Sequence, residues 1–230
     1  MRIEGQTKMG YYPTPLAQIQ LVLPWLKTNS GVRWLDPCCG KGEALAMLAN
    51  ATKGDSYGIE LSDSRAEAAR VILNHVLCTG FEFAVLTRAS FSAILLNPPY
   101  DGESTTGGGT RLEESFLKNA TPLLTAGGVL IYIIPYKRVT EVVARHLAGW
   151  YDNLRCFKFA GKDFEDFGQV IILGRRTSAY RNPSDKAVAE IVAWADLKIV
   201  TEWPKGDAND KLTIPVLTTI PEILPGNGEY

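Results

Sequence analysis

The stretch Ser92-Ala93-Ile94-Leu95-Leu96-Asn97-Pro98-Pro99-Tyr100 decides the fold. An uncharged, mostly apolar run closed by Pro-Pro reads as a fully buried strand stopped at its carboxyl end. Neither proline can donate to a ladder, and Asn97, which precedes one, is pushed out of the helical region. The turn is therefore stiff. It presents the Asn97 side chain, the carbonyls of Asn97 and Pro98, and the Tyr100 ring at one edge of a sheet. In an open parallel sheet, ligands bind at that edge. An Asn carboxamide oxygen beside a backbone carbonyl gives two acceptors, matched to the two hydrogens of an amino group. The Tyr100 ring offers a flat face on which a planar base stacks. Four residues alone fit a proline-stiffened turn equally well, so the surrounding chain has to decide.

Working outward, Val32 to Asp36 reads as a strand, followed by Pro37-Cys38-Cys39-Gly40-Lys41-Gly42-Glu43 and a helix through about Asn50. A strand, a glycine turn and a helix start let backbone approach a ligand closely. The turn lacks the Gly-Lys-Ser/Thr ending of a phosphate-binding loop and the G-x-G-x-x-G of dinucleotide folds. Asp36 supplies a carboxylate instead, which favours a cationic ligand. A second strand, Ser56 to Leu61, ends in Gly58-Ile59-Glu60-Leu61. Glu60, about twenty residues past the glycine turn, is placed to accept ribose hydroxyls. Its helix opens at Ser62 or Asp63 and is expected to carry Ala66, Ala69, Val71, Leu73 and Val76 toward a core.

Ahead of these lies a polar lead-in ending Tyr11-Tyr12-Pro13-Thr14-Pro15. Thr14 fits an N-cap with Pro15 at the first helical position of a helix to about Lys27. Two tyrosines and two prolines there also suit the wall of a ligand pocket. His75 to Gly80 reads as a third strand, and Phe81 to Leu86 as a short strand or helix. Asp101 to Thr110, with Gly107-Gly108-Gly109, reads as a mobile loop beside the proposed site. Then come a helix from about Leu112 to Leu124, a strand Val129 to Ile134 and a helix from about Val139 to Trp150. Asn153 to Phe159 and Gln169 to Leu173 suit an antiparallel pair. After the basic run Arg175, Arg176, Arg181 and Lys186, Ser184 to Leu197 reads as an amphipathic helix. The stretch 198–230 holds Pro204, Pro215, Pro221 and Pro225, as an extended arm or the opening of a further domain.

With 24 basic and 25 acidic residues, the formal charge of −1 excludes a strongly basic nucleic-acid coat but leaves room for a local patch. Cys38, Cys39, Cys78 and Cys156 have no paired C-x-x-C spacing, and only His75 and His146 could assist them. A metal site is therefore not expected, and reduced thiols in a cytoplasmic protein are. No signal peptide and no membrane span are expected.

Taken together, Tyr12-Pro13-Thr14-Pro15, Asp36-Pro37-Cys38-Cys39-Gly40-Lys41-Gly42, Gly58-Ile59-Glu60 and Asn97-Pro98-Pro99-Tyr100 resemble a class I S-adenosylmethionine-dependent amino-methyltransferase. Their order is similar to that of the γ-type DNA adenine-N6 methyltransferases, over about residues 9–175. The resemblance implies an α/β, Rossmann-like, seven-stranded, mostly parallel sheet with helices on both faces. It implies S-adenosylmethionine as cofactor in a catalytic domain over residues 1–176, with residues 177–230 a C-terminal helix and arm. Asp36, Gly40 and Gly42 would face the methionine part, Thr14 the methionine end, and Glu60 the ribose, with Tyr12, Cys38 and Leu61 beside them. Asn97 and the Pro98 carbonyl, followed by Pro99, would hold the target amine, and Tyr100 would stack on the base. Phe164 or Phe167 would cover the base from its other face.

Two departures stand out. The family's acidic residue after the third strand is missing from Leu77-Cys78-Thr79-Gly80-Phe81, where Thr79 is the substitute. Residues 176–230 are also too few for a target-recognition region, so a partner or a missing domain is expected to supply it. The implied acceptor is adenine in nucleic acid, DNA ahead of RNA. A protein-glutamine methyltransferase and a non-catalytic cofactor-binding subunit are the alternatives.

Overall fold

The computed structural model describes residues 12–27, 31–99, 111–196, 198–199, 202–204, 210–218 and 220–226. In chain order the elements are α1 (Leu16–Val22), β1 (Leu26–Lys27), β2 (Arg33–Asp36), α2 (Glu43–Thr52), β3 (Asp55–Glu60), α3 (Asp63–Arg70) and β4 (His75–Cys78). There follow β5 (Ala84–Leu86), β6 (Phe91–Leu96), α4 (Leu112–Ala120), β7 (Leu124–Pro135), α5 (Glu141–Trp150) and β8 (Tyr151–Lys158). The chain continues with α6 (Lys162–Phe167), β9 (Gln169–Arg176), α7 (Asp185–Val192), β10 (Leu212–Thr213) and β11 (Ile223–Pro225).

Seven strands form one sheet in the order β4-β3-β2-β6-β7-β9-β8. From β4 to β7 the pairs are parallel, and β9 runs antiparallel to both β7 and β8. All six residues of β6 are buried, as expected for a strand covered on both faces. Its side chains alternate between two cores. Ile94 and Leu96 join Leu117 of α4, Leu147 of α5 and Ile191 of α7 on one face. Ala93 and Leu95 join Ile19 of α1, Leu48 of α2 and Ala69 of α3 on the other.

The strand order reverses between β2 and β6, the switch point where a doubly wound sheet opens a crevice. Asp36 ends β2 and Asn97 follows β6, so both stand at the mouth of that crevice.

Local expectations fail in instructive places. Helix α1 ends at Val22, because Pro24 forces the 3-10 turn Leu23–Trp25. The next two residues become β1, paired in parallel with β10. Thr14 is not the N-cap; Pro15 occupies that place, and no side chain caps the helix. Helix α3 stops at Arg70, leaving Val71 84% exposed rather than in the core. The segment after β4 is both things expected of it, a 3-10 turn at Phe81–Phe83 and then strand β5.

Beyond Arg176 the described chain lies on the sheet domain. Helix α7 packs Val188 and Ile191 into the core beside α5, with Ser184 accepting the Ala187 N–H at its start. Strand β11 pairs antiparallel with β5. Leu212 and Ile214 are buried, each such side chain contributing roughly 1.5–3 kcal/mol of apolar burial.

Candidate active site

One cavity occupies the switch point. Its lining includes Tyr12, Thr14, Asp36, Cys38, Glu60, Leu61, Thr79, Asn97, Pro98 and Pro99, all singled out in the sequence. Pro13, Pro37, Cys39, Glu43, Ala44, Arg65, Gly80, Phe81, Glu82, Leu112 and Phe116 complete it.

The Asn97 turn is tied down on three sides. Asn97 Nδ2 donates to the Tyr12 carbonyl at 3.2 Å and to Thr14 Oγ1 at 2.9 Å. A carbonyl only accepts, so the Tyr12 contact fixes which end of the carboxamide is nitrogen. With the NH2 turned toward the N-terminal segment, the other end of the Asn97 carboxamide is its oxygen, an acceptor. The Cys38 thiol donates to the Asn97 backbone carbonyl at 3.1 Å, which joins the glycine turn to the Asn97 turn.

Asp36 is almost completely buried, and that burial pushes its carboxyl up to about 7. The Cys38 N–H, donating at 2.9 Å, opposes the rise, and the nearby Glu60 charge adds to it. Burial likewise holds the Cys38 and Cys39 thiols above their ordinary range. A buried acid stalled near neutrality beside a second acid is a place for a cation.

Glu60 is more committed than its position in the sequence suggested. Its Oε1 accepts from Ser62 N at 2.8 Å and from Arg65 Nε and Nη2 at 3.0 and 2.6 Å. Its Oε2 accepts the Gly40 N–H at 2.9 Å. A carboxylate has about four lone-pair sites. Arg65 and Ser62 saturate Oε1, while Oε2 retains capacity for one hydroxyl. Acceptance of both ribose hydroxyls by this group requires Arg65 to move.

Gly40 and Gly42 do not line the cavity. Their amides turn inward, Gly40 onto Glu60 and Gly42 onto the Cys39 carbonyl at 2.8 Å. Gly42 serves the fold instead: at φ +85° it starts α2, and a Cβ there would lie 2.9 Å from Leu73. The ligand-facing part of the turn is Pro37 to Cys39, with Glu43 and Ala44 of α2.

Thr79 uses its backbone N–H on the Glu60 carbonyl at 3.0 Å. An acid does line the cavity after this strand, Glu82, four residues beyond the end of β4 on the 3-10 turn. The signal was one residue past the stretch Leu77–Phe81. Arg65 was legible too, since a basic residue in the first turn of α3 reaches back to an acid at the preceding strand end. Phe81 and Phe116, with ring centroids 5.2 Å apart, form an apolar wall.

Phe164 and Phe167 are not among the lining residues. Both are half-buried against the core on α6, and the Phe164 ring lies 6.1 Å from Tyr136. Tyr100 and the Asp101–Thr110 segment lie outside the described residues.

The donor set fits S-adenosylmethionine. Asp36 could hold a positive charge, Glu60 Oε2 a ribose hydroxyl, and Phe81 with Glu82 an aromatic ring bearing an amino group. The sheet order, the crevice at its switch point and this acid-lined cavity define a class I methyltransferase. The chain belongs to DUF6094, described as an uncharacterised methyltransferase family, whose profile matches residues 1–216, and its cofactor is S-adenosylmethionine.

No curated protein matches this sequence. Among solved structures, the chain is similar to a predicted O-methyltransferase from Agrobacterium tumefaciens, at 17% identity and a TM-score of 0.51, over 76% of this chain and 95% of that one. It is also similar to a type I restriction-modification methyltransferase subunit from Streptococcus thermophilus, at 16% identity and a TM-score of 0.56. That likeness covers 81% of this chain but 53% of the other, so the chain spans about half of that subunit's length. At these identities the likeness is one of fold. Among the described residues no helix is long and apolar enough to cross a membrane.

Proposed function

We propose that the protein methylates the exocyclic N6 amino group of adenine in nucleic acid, DNA ahead of RNA. The observation that carries this reading is the Asn97 carboxamide, whose NH2 is turned onto Tyr12 and Thr14 so that it meets an acceptor substrate with oxygen. That favours an N–H donor over a group that only accepts. Asn97 Oδ1 and the Pro98 carbonyl accept the two hydrogens of the amine, drawing its lone pair out of conjugation with the ring. S-adenosylmethionine supplies the electrophilic methyl group. The chain then has to orient rather than activate, and displacement of the amine by about 1 Å costs on the order of a hundredfold in rate.

Tyr100 stacks on the extruded base and offsets part of its unstacking, a few kcal/mol in a duplex. Glu82 takes the place of the family's adenine-contacting acid, and Glu60 takes a ribose hydroxyl through Oε2. The resemblance to γ-type enzymes supports DNA, and the likeness to a subunit of a restriction-modification system agrees with it. Among the described residues those after 176 lie on the sheet domain, so target recognition is assigned to a partner or a further segment.

The test is transfer of labelled methyl from S-adenosylmethionine to purified DNA, RNA and protein, followed by nucleoside analysis. N6-methyladenosine or its deoxy form is expected. Label confined to protein glutamine, or none in any fraction, would reject the reading.

A further inference from the structure

Gln18 is a buried glutamine, 2% exposed, on the apolar face of α1 beside Ile19 and Val22. Its carboxamide is fully used by one short segment of the chain. Oε1 accepts the Ala160 N–H at 2.8 Å, and Nε2 donates to the Ala160 carbonyl at 3.1 Å and to Asp163 Oδ2 at 2.8 Å. The side chain thus reads both backbone groups of one residue, as a neighbouring strand would.

Ala160 is where the chain leaves β8. Gly161, at φ +60°, then turns it into α6, which carries Phe164. The pairing of Pro135 with Gln169 places α6 at the same edge of the sheet as Asn97. Four residues before Gln18, the Thr14 hydroxyl accepts from the Asn97 carboxamide Nδ2. A single N-terminal segment therefore touches the catalytic turn with Thr14 and grips α6 one turn later with Gln18. The packing of α1 needs no buried amide for stability alone, because an apolar residue at position 18 would continue the α1 stripe. The glutamine gives direction, since its bonds exist at one separation of α1 and Ala160.

We propose that Gln18 is a positioning residue for the acceptor side of the active site: it sets the distance between the Asn97 turn and helix α6, which stands at the same sheet edge outside the cavity lining. This rests on the reading of Asn97 as the group that holds the acceptor amine. Gln18 does not line the cofactor cavity, so its loss acts on the acceptor and spares the cofactor.

The experiment uses the full chain with Gln18→Ala, Gln18→Glu and Gln18→Glu/Asp163→Asn. Melting temperature, S-adenosylhomocysteine affinity, amide exchange at Ala160, and transfer kinetics on an adenine-containing oligodeoxynucleotide are measured on each. In folded Gln18→Ala, exchange at Ala160 rises about tenfold and KM for the oligonucleotide rises several-fold, while S-adenosylhomocysteine affinity stays within about twofold. Gln18→Glu sets a carboxylate against the Ala160 carbonyl and Asp163, and Asp163→Asn restores part of the protection and part of the KM. General loosening of the core would not respond to Asp163→Asn.

Unchanged exchange at Ala160 in a folded Gln18→Ala protein overturns the proposal. Faster exchange with unaltered acceptor kinetics overturns it too, by making the glutamine merely structural. A wild type that does not methylate the oligonucleotide rejects the adenine reading instead, and the kinetic arm is then run on whichever of RNA or protein the wild type labels.

Discussion

Cofactor affinity should depend on pH through Asp36. Burial raises this carboxyl from its ordinary 3.8 to about 7, which amounts to about 4 kcal/mol against its ionised form. On the assignment of Asp36 to the methionine ammonium, binding requires the carboxylate. Its ionised fraction is about 1% at pH 5 and about 50% at pH 7, so affinity for S-adenosylhomocysteine should rise about fiftyfold over that range. The ligand's own amine, with an ordinary pKa of about 7.7–8.0, stays mostly charged throughout. Titration calorimetry at pH 6 in buffers of different ionisation heat should register release of about 0.9 proton per ligand bound. The sign for folding is opposite. Between pH 4 and 7 the unfolded chain has released a proton that the free native protein keeps, so the free protein loses stability as pH rises and levels off above 7. Asp36→Asn should remove both slopes. An affinity that is flat from pH 5 to 7, or equally steep in Asp36→Asn, would refute the assignment.

Asn97→Ala should abolish methyl transfer and leave S-adenosylhomocysteine affinity within about twofold, with a stability loss of about 0.5–2 kcal/mol from the contacts to Tyr12 and Thr14. Asn97→Asp, which keeps an acceptor, should retain partial activity; near wild-type transfer by the alanine variant would sink the role. Glu60→Ala should weaken S-adenosylhomocysteine and sinefungin alike by about 1.5–3 kcal/mol in calorimetry, through the lost hydroxyl contact and the freed Gly40 and Arg65 groups. Arg65→Ala should tighten both ligands several-fold, because it releases Glu60 Oε1; weaker binding would show that Arg65 orients the acid instead. Gly58→Val should prevent folding, since its Cβ alone would stand 2.6 Å from Cys39 Sγ and 2.8 Å from Leu73; a normal melting temperature would contradict that close approach.

The sheet was legible where one strand carried its own signals. The β6 run with its Pro-Pro stop, Asp36 and Glu60 at successive strand ends, and the β8–β9 pair all follow from local pattern. What escaped was set by distant partners. Leu26 and Lys27 extend as a helical run except for Pro24, and only pairing with Leu212 and Thr213 makes them a strand. Thr14 has the chemistry of a cap, but its hydroxyl goes to Asn97 across 83 residues of sequence. Glu82 and Gln18 were visible as letters without a partner to give them meaning. Gln18 stands as a single polar residue in an apolar stripe, and its partner is 142 residues away. At the site, the sequence placed the acids and the amide correctly at the switch point but could not show which of their lone pairs the protein itself consumes.

The pairing of β5 with β11 also bears on how the protein is made. The turn Phe81–Phe83 gives Phe81 and Glu82 to the cavity and runs straight into strand β5, yet the strand that pairs with β5, Ile223–Pro225, leaves the ribosome well over a hundred residues later. At about 5–20 residues per second, that segment waits on the order of ten seconds for its clamp. A nascent chain can therefore complete the β6 and β7 centre of the sheet while the segment that carries Phe81 and Glu82 still lacks the strand that clamps it.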